Sequence, residues 1–164
     1  MSGLFLGEIV LPGVKLAVPL ARRCVADILT TAGHADVADV RLVASELVTN
    51  AVAHTASGRP GGLVAVKIAA VDAETAYIEV IDEGAATVPR IRKAGTDDCG
   101  GRGLRIVEMA AVEWGVRVGA LGRRVVWEEM STKVGASACA GASMTRRPSA
   151  TSECTWRADG GVVT

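Results

Sequence analysis

Three short stretches of this sequence carry residue types that chemistry needs. The first is Glu46-Leu47-Val48-Thr49-Asn50-Ala51-Val52-Ala53-His54. Glu46, Asn50 and His54 recur every four residues, and four residues of helix turn through about 400°. Their side chains therefore form a slowly drifting stripe along one helix edge. The amide oxygen of Asn50 is a hard, neutral ligand suited to Mg²⁺. The Glu46 carboxylate can accept a proton or orient a hydroxyl or a water. Without its neighbours, the same stripe also fits an ordinary solvated helix edge. The second stretch is Asp82-Glu83-Gly84. A carboxylate at a strand end can accept from a ligand's NH₂ group, and the exocyclic amine of adenine meets that requirement. Glycine permits close backbone approach beside it. A polar strand end followed by a plain turn has the same composition. The third is Gly100-Gly101-Arg102-Gly103-Leu104. Glycines ahead of a helix let backbone N–H groups approach a phosphate at the positive helix end, and Arg102 adds a charge-assisted donor. The stretch opens no βαβ unit and lacks the Lys-[Ser/Thr] pair of a Walker loop. A structural turn explains it as well.

Periodicity suggests the elements that would position these residues. Residues 4–16 are apolar, broken at Gly7 and Pro12-Gly13, and predict a short strand or two. Pro19 suits the first turn of a helix. Leu20, Cys24 and Ile28, with Val25 and Leu29, make its apolar stripe, and Gly33 fits just past its end. A second helix runs from about Asp36 to His54, with Val40, Val43, Ala44, Leu47 and Ala51 on one face. Leu63 to Val71 alternates as a strand, with Val64, Val66, Ile68 and Ala70 on a shared face. Asp72 to Thr75 turns the chain into a strand over Ala76 to Ile81. Residues 85–99 show little periodicity, and a stretch of that length suits a lid. Leu104, Ile106, Val107 and Ala111 pattern a third helix. Val116 to Ala120 and Val125 to Glu129 predict a hairpin across Leu121-Gly122.

Strand pairs joined by short turns should be antiparallel. The predicted fold class is therefore α/β (α+β): a two-layer sandwich whose mixed, mostly antiparallel sheet is covered on one face by helices. Residues 1–130 would form this domain. Residues 131–164, rich in Ala, Gly, Ser and Thr, predict a disordered tail in which only Trp156 would dock.

The chain has 164 residues, enough for one domain with a real core. Apolar residues make up 49% but aromatic ones only 3%, so Val, Ala, Leu and Ile must fill that core. Eighteen basic and eighteen acidic residues give no net charge, so nothing pushes the protein toward nucleic acid or an acidic membrane. No apolar run approaches the roughly 20 residues that span a bilayer, and no leader pattern opens the chain, which predicts a cytoplasmic protein. Cys24, Cys99, Cys139 and Cys154 are scattered without a Cys-x-x-Cys pair, which favours reduced thiols over zinc or disulfides.

Order and spacing together resemble the GHKL superfamily of Bergerat (histidine-kinase-like ATPase) folds, over roughly residues 15–130. The likeness is to its small stand-alone branch, the anti-sigma-factor serine kinases. Glu46 to Ala51 looks like that branch's N-box, Asp82-Glu83-Gly84 like its first glycine box, and Gly101-Arg102-Gly103-Leu104-Arg105-Ile106-Val107 like its second. Trp114-Gly115 and the run Val125 to Glu129 also suit it. The resemblance implies ATP and Mg²⁺ as cofactors. It implies that Asn50 ligates the metal and that Glu46 acts as general base or orients the attacking group. Asp82 would accept from the adenine amine, and Gly84 would bring the backbone near the base. Gly101, Arg102, Gly103 and Leu104 would belong to the phosphate-side lid.

The implied activity is ATP-dependent protein serine/threonine phosphorylation, with a sigma factor or an anti-sigma antagonist as protein partner. The alternative is a nucleotide-gated binding regulator without efficient transfer; homodimerisation stays open. Two positions depart from the pattern. Ala86 stands where a second glycine is common, and Arg123 follows Gly122 where many members have Thr. A histidine kinase is a poorer match, because the stretch before residue 36 is too short for a dimerising helical domain.

Overall fold

The computed structural model describes residues 3–84, 111–135, 155–156 and 162–163. Strand β1 (Leu4–Pro12) leads into helices α1 (Ala17–Thr31) and α2 (Ala38–His54). Strands β2 (Leu63–Asp72) and β3 (Thr75–Asp82) follow, then β4 (Ala111–Val118) and β5 (Arg124–Ser131). These five strands form one sheet in the order β1-β2-β3-β5-β4, with every pairing antiparallel. The expected mixed sheet is thus antiparallel throughout its described strands. Two short strands, β6 (Thr155–Trp156) and β7 (Val162–Val163), pair with each other separately. Of the predicted tail, Ser131 instead ends β5 and residues 132–135 follow it, while residues 136–154, 157–161 and 164 lie outside the described residues, as do the lid at 85–99 and the third helix up to residue 110.

Both helices lie on one face of the sheet, and one core joins them to it. On α2 the predicted face is the observed one: Val40, Val43, Ala44, Leu47 and Ala51 are all buried. On α1 the stripe is displaced. The buried residues are Ala17, Ala21, Val25 and Leu29, while Leu20 is exposed and Cys24 and Ile28 are half-buried. Two alanines in that row let the helix approach its neighbours closely, which the bulkier Leu20 would prevent. The helix ends as predicted at Gly33, whose φ is 95°. The Gly33 N–H donates to the Thr30 carbonyl and the His34 N–H to that of Leu29, a Schellman closure.

Alternation along β2 and β3 puts Val64, Val66, Ile68, Ile78 and Val80 against the helices. Ala70, expected on that face, is only half-buried, because the β2–β3 register shifts between Ala70 and Asp72. The opposite face carries a smaller cluster of Ala69, Tyr77 and Trp127, the two rings stacked with centroids 6.0 Å apart. Beside it, Arg117 donates to Glu79 at 2.7 Å.

Two expectations fail in the last third. Ala111 is not the end of a helix but the first residue of β4, which starts five residues earlier than the predicted strand at Val116. Its apolar run Ala110-Ala111-Val112 continues a helical pattern, so pairing with β5, not local propensity, decides the strand. The hairpin turn falls at Leu121-Gly122 as expected, with φ of 60° and 73°.

His34, to which the sequence assigns no role, is buried. Its Nδ1 lies 2.7 Å from Thr132 Oγ1. The Thr132 carbonyl accepts from the Asp36 N–H, and the Thr132 N–H donates to the Glu74 carbonyl. One residue after β5 thereby ties the α1–α2 connection to the β2–β3 hairpin. Burial lowers the His34 pKa, and the Asp72 carboxylate opposes that only in part.

Candidate functional site

The Asp82-Glu83-Gly84 turn is built at the end of β3. Asp82 shares strand parity with Ile78 and Val80, so it points toward the helical layer. Its side chain is 1% exposed. Oδ1 accepts the Gly84 N–H at 2.8 Å, closing a tight turn. Oδ2 accepts from Arg124 Nε at 2.8 Å, and Arg124 Nη2 forms an ion pair with the same oxygen at 2.8 Å. Burial pushes the Asp82 carboxyl above its ordinary range; the guanidinium and the Gly84 N–H pull it back without cancelling that effect.

Gly84 is needed here for two reasons. Its φ of 74° lies in the left-handed region, and a Cβ would stand 2.7 Å from the Gly122 carbonyl oxygen. The β4–β5 turn is therefore pressed against the end of β3.

Helix α2 arrives at the same place. Glu46 and Asn50 are half-buried on α2, at the edge of its apolar face, where the four-residue spacing puts them. His54, next along the stripe, is exposed, and the hydrogen bonds that close the helix come from Thr55. Thr55 Oγ1 donates to the Ala51 carbonyl at 2.6 Å and accepts from the Ser57 N–H at 3.2 Å. The chain after α2 is then bonded to the Asp82 turn. The Ala56 N–H donates to the Gly84 carbonyl at 2.7 Å, and the Glu83 N–H donates to Ser57 Oγ at 2.9 Å. Ser57 Oγ itself donates to the Leu63 carbonyl at 2.6 Å, which anchors the connection to β2.

The structure thus joins the helix of Glu46 and Asn50 to the turn of Asp82 and Gly84. Gly101, Arg102, Gly103 and Leu104 lie outside the described residues, as does Ala86. Of the two arginines after Gly122, Arg123 is exposed in the turn. Arg124, which the sequence does not single out, is the one that meets Asp82. The two are direct cross-strand partners, so register places them on one face. That register joins strands far apart in sequence, and only knowledge of it would have revealed the pair.

An adenine nucleotide with Mg²⁺ fits the donor set. A carboxylate has roughly four acceptor positions. Oδ1 of Asp82 accepts only the Gly84 N–H within the protein and so keeps a position that an exocyclic amine would fit, while Arg124 occupies Oδ2. Among the described residues, no cluster of three or more His, Cys, Asp and Glu forms a metal cage. Mg²⁺ at the Asn50 amide would draw its other ligands from phosphates and water, as this ion commonly does. Among the described residues, no helix is long and apolar enough to cross a membrane.

The sequence model of one protein family, described as the histidine kinase-like ATPase domain, matches residues 14–127. No curated protein matches the chain.

Proposed function

Since the chain belongs to the histidine kinase-like ATPase domain family, we propose that it is an ATP-binding regulatory protein. We further assign it to the anti-sigma-factor type of Mg²⁺-dependent protein serine/threonine kinase. The observation that carries the reading is the hydrogen-bonded junction between α2, with Glu46 and Asn50 on its edge, and the turn that buries Asp82. Asp82 accepts from the adenine amine. The Asn50 amide oxygen would hold Mg²⁺, and that ion would supply neutralisation of phosphate charge. Glu46 aligns the incoming Ser or Thr hydroxyl of a small partner protein, such as a sigma factor or an anti-sigma antagonist. The hydroxyl oxygen bonds to the γ-phosphorus as the bond to the ADP oxygen breaks, and the hydroxyl proton passes to the Glu46 carboxylate or to water. Phosphoryl transfer depends on positioning and charge more than on a strong base, so a carboxylate on a helix edge suffices.

Radiolabelled ATP tests this. Glu46→Ala should retain nucleotide binding and lose about 100-fold or more in transfer to the partner protein. Transfer at the wild-type rate in Glu46→Ala would remove that role. A second reading is a nucleotide-gated binding regulator without efficient transfer, and the guanidinium already seated on Asp82 favours it. It requires that the partner bind with different affinity in the presence and absence of nucleotide.

A further inference from the structure

The sheet face opposite the helices carries Ala69 on β2, Tyr77 and Glu79 on β3, and Trp127 and Glu129 on β5. Both helices lie on the other face, so in a plain two-layer sandwich this one meets water. It is buried instead. Tyr77 is 2% exposed and Trp127 4%, and Ala69, Glu79 and Glu129 are buried with them. Neighbouring strands shield the rim of a ring, not the side turned away from the sheet. A further layer must therefore cover this face. Two strands have no place in the main sheet: β6 and β7 pair only with each other. A lone pair of such short strands is marginal in water and needs a surface to pack on. Its register sets Trp156 directly opposite Val162, and residues so paired share a face. The chain also leaves the sheet close by. β5 ends at Ser131, four positions past Trp127, which is about 13 Å of strand. Residues 136–154 can extend roughly 60 Å, so the β6–β7 pair can reach the two rings. The other long stretch, 85–110, carries the predicted third helix, which this fold class places beside α1 and α2, over Trp114 and Met130.

We propose that the helix-free face of the sheet is a docking surface for the chain's own C-terminal segment, residues 136–164, with Trp156 seated against the Tyr77–Trp127 pair. The docking of Trp156 expected from the sequence thereby gains a receiving surface. Aromatic rings pack favourably edge-to-face or offset on one another, and Tyr77 and Trp127 are already stacked with centroids 6.0 Å apart. Trp127 faces Gly115 across β4, a position with no side chain to crowd the indole. The proposal does not depend on the nucleotide reading, because Asp82 points toward the helical layer on the opposite face.

Nuclear magnetic resonance on the full chain tests it. Nuclear Overhauser contacts are expected between the Trp156 indole and the rings of Tyr77 and Trp127. The Trp127 ring should be shielded from a soluble paramagnetic probe. Trp156→Ser should raise its relaxation by that probe severalfold, while the amides of α2, on the other face, keep their hydrogen-exchange protection. The contacts are read on the wild type, so they decide the matter even if the variant fails to fold. Absence of contacts from Trp156, or a Trp127 ring equally shielded in a folded Trp156→Ser, would overturn the proposal. Contacts to the two rings from residues 85–110 would assign the cover to that segment. Contacts that fade on dilution would assign it to a second copy of the chain. Either result would overturn the proposal as well.

Discussion

Glu128 offers a stability test whose size follows from its surroundings. It lies on the helix-facing side of β5, paired across the sheet with Ile78 on one side and Trp114 on the other. The residue is fully buried, and among the described residues neither carboxyl oxygen has a hydrogen-bond partner. Burial pushes its pKa from 4.5 up to about 9. Between those values the folded protein keeps a proton that the unfolded chain releases. Stability from this group is therefore fully present below about pH 4.5 and is lost as pH rises toward 9. Each pH unit inside the window removes about 1.4 kcal/mol. At pH 7 the cost of holding the proton is on the order of 3 kcal/mol.

Glu128→Gln keeps the shape and cannot titrate. Urea unfolding followed by circular dichroism, at several pH values from about 5 to about 8, would give both stability curves. The wild type should lose stability relative to Glu128→Gln by roughly 1 kcal/mol per pH unit across that range. Glu128→Met, which also removes the unpaired polar atoms, should be more stable than wild type at neutral pH. Parallel curves for wild type and Glu128→Gln would refute the reasoning. They would mean that the carboxylate is ionised in the folded protein and compensated there.

The remaining expectations are shorter. His34 has a lowered folded pKa, so its neutral form is the one the fold accepts. Its contribution is complete above about pH 6.5 and declines as pH falls toward the lowered value. His34→Gln should flatten that acid-side slope in the same unfolding series, and an unaltered slope would exclude His34 as its source. Gly84→Ala should destabilise by roughly 1–3 kcal/mol, because its positive φ and its contact with the Gly122 carbonyl both oppose a Cβ. A loss below a few tenths of a kcal/mol in chemical denaturation would show that the turn relaxes freely.

The parts of the fold legible in the sequence were those fixed by local pattern. The apolar face of α2, the alternation in β2 and the Gly33 stop each follow from residues within a few positions of one another. What stayed hidden depends on distant partners. The α1 stripe was displaced by a residue because the choice between Leu20 and Ala21 for the interior is made by the space α2 and the sheet leave. Ala111 continues a helical pattern and becomes strand because β5 pairs with it. Glu128-Glu129 resembles a solvated strand end, yet alternation sends the two carboxylates to opposite faces and both are buried. At the candidate site, Glu46, Asn50, Asp82 and Gly84 were singled out as candidates by type and spacing. Arg124 was not, because its relation to Asp82 exists only through the β3–β5 register.

The bonds from Ala56 to the Gly84 carbonyl and from Ser57 to the Glu83 amide make the end of α2 and the Asp82 turn one mechanical lever. Tilting the helix carries the Asp82 carboxylate with it, and displacing that turn pulls on the helix edge that bears Asn50. The amides of Ala56, Glu83 and Gly84 should then open to hydrogen exchange together rather than one by one. A partner protein that grips α2 from outside would have a direct handle on the Asp82 turn without ever touching that turn itself.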